Sequence, residues 1–368
     1  MSFRKFQKLE TTKLFLKASD SSNVYQLVVT PDGVSWGQTF TEKTYATKTV
    51  ENQGFLRDDG VFKKANPASF SFTSPLTKEN HAAKQVFDLL VGTPSNTLKT
   101  FTLWFIDADK SICLETCVIT SGSIVVQPGQ AIALSIEGQA GKQSVFKSST
   151  STSVGNIITD SAVDFGTINS SSLAPVFTHS NRVAESSRTI LTLDRVVVEY
   201  SSTSINSDLG HISDRILSFS VEIQNKIKWV PHQTLHGAIS TTGRSNIEYP
   251  TNFVLEKQSV AGNITTVAPP SGTVANQGIP TDATDGGNNE NQQFVENSDF
   301  KFGIFGKGGT STSSSTGTDY GITFTPTANC VNVTKTIEVG PFWTASHNWR
   351  VNGSNTSALS SILTYTTA

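Results

Sequence analysis

LSFSVEIQ, residues 217–224, alternates without a break. Phe219, Val221 and Ile223 fall on one side, and Ser218, Ser220, Glu222 and Gln224 on the other. Successive side chains of a strand point to opposite faces, so this is a strand with one buried and one wet face. The same strand character recurs outward in both directions. KLFLKA (13–18), YQLVVT (25–30), SFSFTS (69–74), FTLWFID (101–107) and AIALSIEG (131–138) make one group. LDRVVVEY (193–200), NFVLEK (252–257), DFKFGIF (299–305), YGITFT (320–325) and HNWRVNG (347–353) complete a second group around the opening stretch. The expected fold is mainly β. One helix interrupts it in TKENHAAKQVFDLLVGTP (77–94), with Thr77 as N-cap and Gly92 as stop. Ala82, Ala83, Val86, Phe87, Leu90 and Val91 form its apolar stripe.

The two groups read as copies of one module. LSFSVEIQNKIKW (217–229) sets against VYQLVVTPDGVSW (24–36) at an offset of 193, aligning Trp229 with Trp36. TFTLWF (100–105) sets against DFKFGI (299–304) at 199, and AIALSIEG against SHNWRVNG (346–353) at 215. The order is kept and the offset grows only through loops. The expected domains are 1–141 and 190–368, joined by a Ser/Thr-rich connection over 142–189. Pro31-Asp32-Gly33 reads as a hairpin turn, repeated at Asn225-Lys226. Two Gly-rich polar segments, 268–293 and 306–319, read as loops.

Composition narrows the function. The apolar share is 36% and the charged share 16%, low for an enzyme and rich in Ser, Thr, Asn and Gln instead. The formal net charge of -2 offers no positive field for nucleic acid or anionic membrane. No apolar run approaches the roughly 20 residues of a membrane span, and the N-terminus has no apolar signal core, so synthesis in the cytoplasm is expected. Cys113 and Cys117 lie about 13 Å apart if their segment is a strand, too far for a disulfide, and are expected as buried thiols.

Gly33-Val34-Ser35-Trp36-Gly37 matches G-x-S-x-G, but the polar, β-branched run after it gives no helix, and the second copy has Lys228 in place of Ser35. GIFGKGGTS (303–311) has the wrong glycine spacing for a phosphate loop. His232 and His236 are four apart but flanked by Pro231 and Gly237, without a third ligand nearby. The expectation is no catalytic, metal or cofactor site.

YATKTVENQGFLRDDGVFKKANPASFSF (45–72), SFTSPLTKENHAAKQVFDLLVG (71–92), KTFTLWFIDADKSICLETCVITS (99–121) and GQAIALSIEGQAG (129–141) together resemble the phage tail tube protein family. The resemblance spans about 24–141 and 190–355; the second copy departs from it where APPSGTVANQGIP (268–280) stands in place of the helix. The resemblance implies two tandem tail-tube-like β-sandwich or barrel modules with at least one short helix. It implies a structural virion protein, made in the host cytoplasm, in trimeric rings of pseudo-sixfold symmetry. Those rings would stack into a tube, bind other tail proteins and pass DNA without gripping it. The long loop becomes the contact between rings, through Glu51, Phe55, Leu56, Arg57, Asp58, Asp59 and Phe62. By strand parity Ser135, Glu137, Ser218, Ser220, Glu222 and Gln224 face the lumen, with Arg350 on the polar side of its own strand. A competing reading is a β-sandwich recognition protein, a tail-tip receptor binder or adhesin, holding glycans with exposed Trp343, Trp349 and Tyr365.

Overall fold

The structure, a computed structural model, describes residues 13–30, 34–47, 57–106, 110–126, 129–147, 188–199, 216–230, 247–250, 252–267, 301–307, 320–325, 330–339, 343–351 and 358–368. The first half carries β1 (Lys13–Ala18), β2 (Tyr25–Leu27), β3 (Ser35–Gly37), β4 (Phe40–Thr47), β5 (Arg57–Ala65) and β6 (Ala68–Pro75). Helix α1 (Ala82–Val91), β7 (Phe101–Ile106), β8 (Lys110–Val126) and β9 (Ala133–Lys147) follow. The second half carries β10 (Thr192–Glu199), β11 (Ile216–Val230), β12 (Ile247–Glu248), β13 (Asn252–Val267), β14 (Lys301–Lys307) and β15 (Tyr320–Phe324). It ends with β16 (Cys330–Val339), β17 (Trp343–Val351), a short helix α2 (Leu359–Ile362) and β18 (Leu363–Thr366). The chain is mainly β, and its largest sheet curls into an antiparallel half-barrel.

The strand order repeats. In the first half β8, β9, β6 and β3 pair in that order; in the second half β16, β17, β13 and β11 pair in the same order. Likewise β1 pairs β7 and β7 pairs β8, while β10 pairs β14 and β14 pairs β15. What β8 does as one strand, bending near Thr116 (φ 54°), the second half divides between β15 and β16. The blocks join where β8 pairs antiparallel with β11, Ser121 opposite Gln224 through Val126 opposite Phe219. Trp36 lies opposite Phe70 on β3 and β6, and Trp229 opposite Phe253 on β11 and β13. The ring contacts differ. Trp36 lies 4.3 Å from Phe105, whereas Trp229 donates from Nε1 to Gln139 Oε1 at 2.7 Å.

The core lies on one face of this sheet. Its rows cross strand after strand, as in Phe72, Ile136, Gly122, Ile223 and Val260, with the other four side chains buried beside Gly122. Helix α1 covers the seam. All six residues of its expected stripe are buried, and Leu90 sits so close to Gly122 that a Cβ there would meet its Cδ2 at 2.4 Å. Gly92 ends the helix at φ 82°, its N–H donating to Asp88 O at 3.0 Å.

Four local expectations need correction or placing. The helix starts at Ala82 with His81 as N-cap, because tertiary partners take Thr77 instead. Thr77 bridges to Ile190 and accepts Tyr365 Oη on its carbonyl, while its N–H donates to the same Oη at 2.8 Å. The expected hairpin at 31–33 lies outside the described residues. Thr30 N–H donates to Thr73 O, and Ser35 lies opposite Ser71. Both flanking segments therefore bond to β6. In the second half Asn225 and Lys226 lie inside the unbroken β11, and the irregularity is a one-residue register shift between Lys226 and Ile227. Of the expected linker, 142–147 belong to β9, 148–187 lie outside the described residues, and the Thr189 carbonyl accepts from Lys78 N–H. Of the two Gly-rich loops, 268–293 and 308–319 lie outside the described residues, whereas Gly306 and Lys307 belong to β14.

Tyr365 clasps the C-terminus to the entrance of α1, its ring edge-on to Phe87 at 5.6 Å. Tyr365→Phe removes the hydroxyl that bonds both backbone groups of buried Thr77, and should cost about 1–3 kcal/mol in urea unfolding. Burial pushes this phenol up from 10.0 to about 12, against the lowering by its Thr77 hydrogen bonds. The neutral phenol's contribution is complete below pH 10 and is lost as pH rises through about 12. The wild type should therefore lose stability over that window, and Tyr365→Phe should flatten this part of the profile. An unchanged alkaline profile in the variant would contradict the assignment.

Candidate assembly surfaces

The face opposite the core is polar, and its residues align across both halves. One row runs Ser35, Ser71, Glu137, Ser121, Gln224 and Ser259, across β3, β6, β9, β8, β11 and β13. The next runs Thr73, Ser135, Ser123, Glu222, Ala261 and Arg350, reaching β17. A third carries Ser220, Asn263 and Asn348. The sequence reading placed Ser135, Glu137, Ser218, Ser220, Glu222 and Gln224 on one polar side of their strands. Ser135, Glu137, Ser218, Glu222 and Gln224 are exposed, and Ser220 is half-buried. Phe219, Val221 and Ile223 are buried beneath them, as alternation requires.

Short polar side chains cross-link this face. Ser35 Oγ lies 2.8 Å from Ser71 Oγ, and Thr73 Oγ1 lies 3.0 Å from Ser135 Oγ. Asn263 Nδ2 donates to Asn348 Oδ1 at 2.7 Å and to Ser346 Oγ at 2.9 Å. The charged members of the first two rows are Glu137, Glu222 and Arg350, so these rows are rich in hydroxyls and amides and sparse in charge.

The seam between the halves is held by Asn225, a buried polar residue on β11. Its Nδ2 donates to Leu90 O at 2.9 Å and Ile119 O at 3.1 Å. Its Oδ1 accepts from Gln258 Nε2 at 3.0 Å, and the same nitrogen reaches Val91 O at 3.3 Å. Two carbonyls at the end of α1, which have no partner within the helix, are thus satisfied from the second half. Sequence reading took this residue for part of a turn. The one signal was an amide interrupting the apolar side of an alternating strand, Phe219, Val221, Ile223, Asn225.

The expected inter-ring loop is a two-stranded ribbon. β4 and β5 pair antiparallel from Phe40 opposite Ala65 to Thr47 opposite Arg57, continuing the β3–β6 pairing through Asn66 N–H to Thr39 O. Eight residues of β4 give it a reach of about 27 Å. Arg57, Asp58, Asp59 and Phe62 lie in β5; Glu51, Phe55 and Leu56 lie outside the described residues. β-branched and aromatic residues (Thr41, Thr44, Tyr45, Thr47) suit this paired ribbon within one chain. The second half braces its base. β12 pairs parallel with β5 at Lys63 and Lys64, and Lys142 Nζ lies 5.6 Å above the Tyr249 ring. Gln38 donates to Asn66 O at 2.9 Å and accepts from Gln143 N–H at 3.0 Å.

Ser35 is a residue of the short strand β3, with another hydroxyl as its neighbour and no helix behind it. Ser35→Ala should shift stability by no more than about 0.5 kcal/mol, and a serine-directed probe should label nothing there. A covalent adduct at Ser35 would overturn this. The stretch resembling a phosphate loop begins as strand β14. His232 and His236 lie outside the described residues, among which no cluster of three or more metal-binding groups occurs. Cys113 and Cys117 are buried free thiols, and burial raises both pKa values above the usual thiol range. Trp349 and Tyr365, expected exposed, are buried at 2% and 3%. Trp349 packs 5.6 Å from Phe302 and Phe324, so neither ring is open to a glycan. Trp343 lies in β17.

No protein-family model matches the chain, and no curated protein matches it. Among solved structures, it is similar to a chain of the anti-feeding prophage baseplate in a 6-fold symmetrised reconstruction. The identity is 9% and the TM-score 0.29, over 40% of this chain and 98% of that one. A likeness of that size carries no weight for function.

Proposed function

We propose that the chain is a structural subunit of a phage tail tube, two copies of one β-module that assemble into stacked rings around a DNA channel. One observation carries this reading: the block β8-β9-β6-β3 recurs as β16-β17-β13-β11, joined edge to edge with the polar rows continuous across the join. A curled sheet with one face filled and the other rich in hydroxyls, open at its outer edges among the described residues, is suited to closure by further copies. In such a ring the modules are residues 1–141 and 190–368, and the polar rows face the lumen. A wall whose first two rows carry Glu137, Glu222 and Arg350 among hydroxyls and amides gives phosphates little to bind, so DNA slides. The β4–β5 ribbon reaches the neighbouring ring, and other tail proteins cap the ends.

Replacing Lys43–Phe62 by Asn-Gly tests this. It would close the ribbon between Glu42 and Lys63, which lie opposite each other, with a two-residue turn. The shortened subunits should stay folded, with an unchanged unfolding midpoint, and fail to form tubes. Long tubes from the shortened chain would sink the stacking role.

A further inference from the structure

We infer that the contact closing one copy onto the next, within the ring proposed above, pairs the outer edge of β16 antiparallel with the outer edge of β3 in a second copy. The chain contains a worked example of this junction. In the repeated strand order, β8 occupies the place of β16 and β11 the place of β3. β8 and β11 pair with each other along Ser121–Val126 and Phe219–Gln224. Their counterparts are left without a partner on the corresponding sides among the described residues. β16 pairs only with β17 there, and β3 only with β6.

The other candidate edges do not fit this template. In the smaller sheet the C-terminal β18 covers β15, and β10 ends the order on the far side of β14. The first-half counterpart of β10, β1, takes no part in the join between halves. The edge that carries β3 extends beyond it, because Thr30 also donates to β6. Around the ring, covalently continuous β8–β11 seams would then alternate with β16–β3 seams between copies. Each between-copy seam is made of backbone hydrogen bonds and keeps the polar rows in step.

Hydrogen exchange on the assembled protein reads this directly. In an antiparallel edge strand alternate N–H groups point outward, so about half the amides of β16 exchange quickly if the edge is open. The inference predicts that this fast half is lost in assembled particles. β16 should then be protected like β8 and β11, together with Val28–Thr30 and Val34–Gly37. Assembled rings or tubes in which about half of β16 still exchanges quickly overturn the seam while leaving the tube reading standing. A chain that forms no closed particle under any assembly condition overturns both.

Discussion

Asn225→Leu should cost about 3–5 kcal/mol in urea unfolding, one of the largest single-residue effects in this chain. The substitution keeps the branched shape of the amide and adds no charge. It removes both donors from Leu90 O and Ile119 O, and the acceptor of Gln258. Leaving a buried group without its partner costs about 1–3 kcal/mol, and two carbonyls lose theirs at once. Asn225→Asp should do comparable damage, because a carboxylate cannot donate to either carbonyl. The effect should be cooperative across the chain, since α1, β8 and β11 meet at this side chain. A loss below about 1 kcal/mol in both variants would show that the amide does not hold the seam.

Gly262→Val should be as damaging for the opposite reason, excess rather than loss. Gly262 lies on β13 between β11 and β17, opposite Val221 and Trp349. A Cβ there would stand 2.2 Å from Ser220 O and 2.5 Å from the Trp349 ring. Overpacking ordinarily costs about 1–3 kcal/mol, when side chains can move aside. A backbone oxygen in a paired strand cannot, so β11 and β13 must separate and the variant should fail to fold at 37 °C. Gly37→Ala is the control: a Cβ there meets nothing within 4 Å, and stability should change by no more than about 0.5 kcal/mol. Equal behaviour of the two variants would contradict the close approach at Gly262.

The strands were legible because burial of one face imposes a period of two, and the stretch at 217–224 keeps that period without exception. The polar face was legible for the same reason. Once Phe219, Val221 and Ile223 are committed to the core, Ser218, Glu222 and Gln224 have only the other side. Register was not legible, since it depends on which strand lies opposite, and so the rows joining Glu137 to Gln224 appear only in three dimensions. Pro31-Asp32-Gly33 has the composition of a turn, but composition could not show that β6 bonds to the segments on both sides of it. Thr77 has the chemistry of a cap, but Tyr365, distant in sequence, takes its backbone groups. Trp349 and Tyr365 were read as exposed because alternation reports two faces and not which one a second layer covers.

Electron cryomicroscopy of the purified chain, assembled alone, tests the central claim most directly. The account predicts hollow tubes of stacked rings, with Glu137 and Glu222 on the inner wall and the β4–β5 ribbons crossing from ring to ring. Monomers that never close, or closed particles with both carboxylates on the outer wall, would contradict it.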